Sequence, residues 1–313
     1  MCRSTPSGSL AGALALTWLL IGSLGGPARG ETSSRPLETR LTCARGDQRV
    51  LVLAPPAHRP GARLDVVVYF HGLRGYYRGD KKEDALVATR LAEVVRARGD
   101  VMVIMPEALA GDADRLRANQ RCVNQPGGFE ALLNAALALV PAEVGQLGLI
   151  AHSGGGAMIG PSLAPEGGRF ANKVTEVTLL DAGYNYRKSW ETARDWLIRD
   201  TRPKVVRVFT TGDAEASYAL RFFATRRGPR PSDFAKALTA AGRTLTLEEL
   251  ASFTLDGLRF EVLELARAEH AEAVVLRVGS TQAKGHYPVR DTGLPAATRS
   301  LGRGPEGWDL SKP

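Results

Sequence analysis

The sequence predicts an α/β fold with a mostly parallel central sheet of about eight strands and helices on both faces. Three observations predict it. Continuous apolar runs such as Val66–Phe70 and Val101–Met105 lack polar alternation, so they suit strands covered on both faces. These runs alternate with stretches of helical spacing, the order of βαβ units. The 313 residues, 44% of them hydrophobic, suffice for one large domain with a substantial core.

The elements follow in order. Residues 31–38 read as a polar leader, and Thr39–Ala44 and Arg49–Ala54 as two short strands. Pro55-Pro56 and Pro60-Gly61 mark a turn. Val66–Phe70 is a buried strand that His71-Gly72 ends, and Asp84–Arg98 has helical spacing. Val101–Met105 is the next strand, ended by Pro106, and Phe129–Val140 is an Ala- and Leu-rich helix. Leu147–Ala151 is a strand, followed by Val174–Leu180, which ends at Asp181. Ser189–Ile198 is helical, and Val205–Thr210 is a strand ending at Gly212-Asp213. Ala273–Val278 is the last strand, and a loop holding His286 follows it. The segment 226–260 interrupts the rhythm: Gly228-Pro229-Arg230-Pro231 precedes helical stretches at Phe234–Ala241 and Leu247–Phe253. It reads as a cap or an enlarged connection within a single domain, 31–313.

The first thirty residues differ in kind. A short polar segment with Arg3 precedes the nearly all-apolar run Leu10–Leu24, and Ala28-Arg29-Gly30 offers small residues at the positions a signal peptidase reads. The run is shorter than the roughly 20 residues of a spanning helix. A cleaved signal peptide, 1–30, is therefore expected, with a periplasmic or extracellular product; an uncleaved N-terminal anchor is the alternative. The formal charge of +8 comes mostly from scattered arginines. Its densest run, Arg226–Pro231, has no interleaved aromatic residue, which argues against a nucleic-acid site. Of three cysteines, Cys2 would leave with the signal. Cys43 and Cys122 remain as an even pair, expected to form a disulfide in an oxidising compartment. No Cys/His cluster has zinc spacing, so no metal is expected.

The chemistry centres on one turn. Gly148–Ile159 reads as an apolar strand, an abrupt small-residue turn and an apolar helix, with Ser153 at the turn. A serine held this way needs small residues two before and two after it, here Ala151 and Gly155. Its hydroxyl stands exposed at the positive end of a helix. An acid and then a histidine should follow, each after a later strand. Asp213 and His286 meet that order.

On these residues the chain resembles the α/β-hydrolase superfamily over roughly residues 49–290. The resemblance is carried by Ala151-His152-Ser153-Gly154-Gly155, by His71-Gly72, and by the late acid and histidine. Ala151 replaces the commoner glycine, and the Gly-rich oxyanion turn is reduced to His71-Gly72-Leu73-Arg74-Gly75, unlike esterases with a longer glycine run. The resemblance implies a serine nucleophile, Ser153, with His286 as base and Asp213 holding the imidazole. The backbone amides of Leu73 and Gly154 would receive the oxyanion. Asp181, one strand earlier, is the alternative acid, and His270 the rival histidine. His152 reads as a packed neighbour and His71 as an anchor of the oxyanion turn. Tyr76 and Tyr77 either line the pocket or simply pack.

The implied function is an exported monomeric serine hydrolase, cleaving a carboxylic ester on a small-molecule or polymer-borne acyl substrate without a cofactor. An amidase or peptidase is the alternative reaction, and a non-catalytic hydrolase-like binding protein the alternative class. A dinucleotide site is a further competitor. Gly154, Gly156 and Gly160 nearly fit its fingerprint, and Asp181 ends the next strand. The third glycine is one position late, however, and several strands precede the motif. After signal removal no stable membrane insertion is expected.

Overall fold

The computed structural model describes residues 36–44, 46–72, 82–106, 122–164, 168–182, 187–199, 201–211, 239–242, 246–247, 252–255, 258–268, 271–278 and 282–302, with 82–89, 187–190 and 246–288 as backbone only. Among them, eleven strands form one sheet in the order β1-β2-β4-β3-β5-β6-β7-β11-β10-β8, and β9 also pairs with β10. The hairpin β1 (Leu37–Cys43) and β2 (Gly46–Leu53) joins antiparallel to β4 (Val101–Pro106). From β4 the sheet is parallel through β3 (Arg63–Phe70), β5 (Glu143–His152), β6 (Val174–Leu180), β7 (Lys204–Thr210) and β11 (Ala271–Val278).

The apolar runs become central strands because side chains on both of their faces are buried. Val66, Val68 and Phe70 of β3 face one core with Met102 and Ile104 of β4; Val67 and Tyr69 face a second with Val101, Val103 and Met105. Helix α1 (Lys82–Arg98) covers the second core with Leu91 and Val95. The first lies under α2 (Gly128–Leu139) through Phe129, Leu132, Leu133 and Ala136. It also lies under α4 (Arg187–Ile198) through Ala193, Trp196 and Leu197. A side chain on this two-sided sheet leaves water whichever way it points, so continuous hydrophobicity replaces alternation.

Two segments depart from the sequence expectation. Of the expected helix Leu247–Phe253, residues 248–251 lie outside the described residues and both ends are strand: β8 (Thr246–Leu247) and β9 (Ser252–Leu255) pair antiparallel with β10 (Leu258–Ala268). These strands extend the sheet beyond β11, so the expected eight strands become eleven. Of the expected helix Phe234–Ala241, residues 234–238 lie outside the described residues; Thr239 and Ala240 are helical and a turn follows. The interval 226–233 and the leader 1–35 also lie outside them.

The second departure is α5 (Gln282–Ser300), where a loop was expected. Gly285, Pro288, Gly293 and Pro295 all read as breakers, yet burial overrides them. Val289, Leu294, Ala297 and Leu301 sit in the second core, and a Cβ at Gly293 would lie 2.6 Å from Leu180 Cδ2. Pro295 cannot donate to the carbonyl four residues back. That carbonyl, of Asp291, instead accepts from Arg90 Nη1 at 3.1 Å. Past the end of α5, Arg98 Nη1 donates to the Leu301 carbonyl at 2.7 Å while its Nη2 pairs with Asp65 at 2.8 Å. A cation at a helix C-terminus satisfies orphan carbonyls and complements the dipole.

Cys43 and Cys122 form the expected disulfide, tying the β1–β2 turn to the segment before α2. Among the described residues no helix is long and apolar enough to cross a membrane.

Candidate active site

The parallel strands all deliver their C-terminal ends to one sheet edge, where open α/β sheets bind ligands. At this edge β5 ends at His152 and the chain turns at Ser153 into a 3₁₀ turn, Ser153–Met158, and then α3 (Ile159–Leu163). Ser153 has φ 51°, a left-handed conformation that costs an L-residue roughly 1–2 kcal/mol. His152 before it is extended, at φ −114° and ψ 135°.

The glycines explain how so sharp a turn fits. A Cβ at Gly155 would strike the Phe70 carbonyl at the end of β3. One at Gly156 would lie 2.6 Å from the Ala182 carbonyl after β6. The elbow is thus wedged between the two neighbouring strand ends, with no room for side chains at either position. A Cβ at Gly72 would lie 2.8 Å from Ser153 Cβ and 3.2 Å from its Oγ, so the turn after β3 passes directly against the serine. Strand order 1-2-4-3-5-6-7, a parallel strand next to β7, and a left-handed serine at the end of β5 occur here together. This is the α/β-hydrolase fold.

One feature of the elbow differs from the sequence reading. The helix after Ser153 begins as a 3₁₀ turn and its α-helical part has 5 residues. Gly154–Gly156 disfavour a regular helix. Ala164, extended at ψ 154° ahead of Pro165, ends it. The glycines that nearly fit a dinucleotide fingerprint have a packing role here. Gly155 and Gly156 are needed for close packing against the chain's own carbonyls of Phe70 and Ala182, a role that accounts for both glycines without a ligand.

Around the elbow, His71 is buried, and its Nδ1–H donates to the Gly72 carbonyl at 2.7 Å. A carbonyl can only accept, so this contact fixes the tautomer. Burial holds His71 down at about 4, partly opposed by the Gly72 hydrogen bond; the ring is neutral near pH 7 and suits an anchor rather than a base. His152 is buried beside the same turn, with Nδ1 3.3 Å from the position of a Gly72 Cβ, which agrees with a packed neighbour. Gly154 is buried within the 3₁₀ turn, directly after the serine.

Asp181, the alternative acid, is the other non-glycine residue with positive φ among the described residues, at 46°. It is 1% exposed, and its Oδ1 accepts from the Thr211 amide at 3.2 Å. Its own amide donates to the Phe209 carbonyl at 2.7 Å. Nothing in the residue order signals these contacts; they follow from β6 and β7 lying side by side.

Leu73, Tyr76, Tyr77, Asp213 and His270 lie outside the described residues. The backbone of His286 belongs to the second turn of α5 rather than to a loop. Strand β7 ends at Thr210, three residues before Asp213, and β11, which precedes His286, pairs parallel with β7. In sequence, Asp213 and His286 thus follow two adjacent parallel strands. No group of three or more His, Cys, Asp or Glu able to hold a metal occurs among the described residues.

No protein-family model matches the sequence, and no curated protein matches it. Solved structures do resemble it. An esterase from Pyrobaculum calidifontis aligns at 14% identity and TM-score 0.45, covering 85% of each chain. The feruloyl esterase module from Clostridium thermocellum aligns at 12% identity and TM-score 0.45, over 83% of this chain and 87% of that one. An α/β serine hydrolase without lid from Xanthomonas campestris aligns at 16% identity and TM-score 0.37, over 67% and 91%. The fold assignment stands on the strand order and the elbow themselves.

Proposed function

We propose that this chain is an exported serine hydrolase that cleaves a carboxylic ester through an acyl-enzyme intermediate. The observation that carries the reading is Ser153 in a left-handed turn at the end of β5, with Gly72 packed against its side chain. A strained non-glycine residue at a ligand-binding sheet edge is kept where its side chain is used. The Cys43–Cys122 disulfide supports an oxidising compartment.

In this reading His286 removes the Ser153 hydroxyl proton as Oγ attacks the acyl carbon. The carbonyl oxygen becomes an oxyanion between the backbone amides of Gly154 and Leu73, and the close approach of Gly72 to Ser153 brings the two turns together for this. Collapse of the tetrahedral intermediate breaks the ester C–O bond, and the leaving alcohol takes the proton from His286. A water then repeats the attack on the acyl group, with His286 again as base. Asp213 holds the imidazole and stabilises its charged form.

A panel of chromogenic acyl esters and peptide amides, run on the wild-type chain and Ser153→Ala, tests this. Ester turnover should fall by about 10⁵-fold or more in the variant. Equal turnover by both proteins would refute the serine mechanism, and amide-only turnover would replace the esterase reading with the peptidase one.

A further inference from the structure

We propose that Asp181 is a positioning residue: it fixes the exit of β7 so that the chain leads Asp213 to the catalytic histidine. This rests on the serine-hydrolase reading above and adds a residue to it. Three observations converge on Asp181. Its backbone is left-handed at φ 46°, where glycine would be free of strain, so retaining a side chain there needs a reason. That side chain is 1% exposed, and a buried carboxylate persists only when hydrogen-bonded or paired. Two hydrogen bonds bracket the end of β7: the Asp181 amide donates to the Phe209 carbonyl, and the Thr211 amide donates to the Asp181 carboxylate.

The same turn also touches the elbow. Ala182 follows Asp181, and its carbonyl is the atom that a Cβ at Gly156 would meet at 2.6 Å. One short turn therefore spaces the serine's 3₁₀ segment from the β7 exit, two residues before Asp213. The role needs an acceptor oxygen at Oδ1, not a negative charge. A triad acid needs the charge as well, because it must hold the imidazole tautomer and stabilise the imidazolium.

Asp181→Asn and Asp181→Gly separate the possibilities, with Asp213→Asn as reference. Asparagine keeps the carbonyl acceptor and tolerates the left-handed backbone. Glycine removes the acceptor while easing the backbone, so it is the truncation least prone to misfold. Ester turnover by the full chain, per folded molecule, should stay within about threefold of wild type in Asp181→Asn, against a fall of about 10⁴ in Asp213→Asn. In Asp181→Gly, kcat should drop by about 100-fold with KM little changed, the scale of a misplaced catalytic group. The acid limb of its kcat/KM profile should move to lower pH, because a carboxylate drawn away from the imidazole no longer raises its pKa.

A loss in Asp181→Asn equal to that in Asp213→Asn would overturn the proposal and make Asp181 the acid. So would an Asp181→Gly enzyme that loses only melting temperature, or loses nothing. Should Asp181→Gly fail to fold, Asp181→Asn still decides between the two roles. The function reading fails separately, and this proposal with it, if turnover does not depend on Ser153.

Discussion

Among the described residues, the two edges of the central sheet differ in which residues carry left-handed backbone. At the N-terminal edge of the parallel strands, the left-handed residues are glycines: Gly99 between α1 and β4, and Gly302 after α5. At the C-terminal edge Gly46 and Gly127 are left-handed as well, but there Ser153 and Asp181 carry side chains in the same conformation. Glycine adopts this conformation at no steric cost, so it is the default where only a turn is needed. A side chain in its place marks an edge where the chain must present a functional group.

The charges differ in the same way. On the α1 and α5 face, Arg207 and Glu176 form a buried pair at 2.6 Å, and Glu176 Oε1 also accepts from the Gly302 amide at 3.1 Å. Arg98 joins Asp65 and Asp100 to the end of α5. These groups hold elements together. At the other edge, burial keeps His71 neutral, and the acidic side chain of Asp181 meets a backbone amide.

Three changes would break or sharpen this contrast, beginning with the largest. Glu176→Ala leaves the Arg207 guanidinium buried without its carboxylate, so stability should fall by about 3–5 kcal/mol while turnover per folded molecule stays level. Urea unfolding alongside ester assays at low temperature checks both; a turnover loss without a stability loss would erase the distinction between the edges.

Replacing both Cys43 and Cys122 by serine opens a link spanning 79 residues of sequence. The expected loss is about 2–4 kcal/mol, read as a lower unfolding midpoint, again without a change in turnover at low temperature. An unchanged midpoint would mean the bridge does not constrain the unfolded chain.

The third change is pH. Folded His71 titrates near 4, whereas in the unfolded chain it binds a proton below about 6.5. A depressed pKa gives full stability above 6.5. The loss grows as the pH falls towards 4 and levels off beneath it, by up to about 3 kcal/mol. His71→Asn should remove this component from the pH dependence of urea unfolding. A wild-type curve that matches the variant's across pH 4–7 would show that His71 carries no such linkage.

The strands that build the site were legible because their position makes them unambiguous. Val66–Phe70 and Val101–Met105 are buried on both faces, so every residue is apolar or aromatic and the run stands out. Ser153 was legible because the elbow forces small residues at fixed offsets. Strand β10 was not. Its alternation Leu258, Phe260, Val262 slips phase at a bulge between Val262 and Glu264, after which the pattern suits helix as well as strand. Helix α5 was hidden by its prolines and glycines. What sustains it lies far away in sequence: Arg90 for the carbonyl that Pro295 leaves unpaired, and Leu180 against Gly293. The role of Asp181 was illegible for the same reason, since its partners come from the neighbouring strand.

The central claim is that Ser153 is the nucleophile at the strained edge. Its most direct test is a fluorophosphonate probe applied to the active full-length protein, with the adduct mapped by mass spectrometry. A single phosphonylated peptide carrying Ser153 is expected, with loss of ester turnover in step with labelling and no adduct in Ser153→Ala. Labelling at another residue, or full turnover with no label at Ser153, would contradict it.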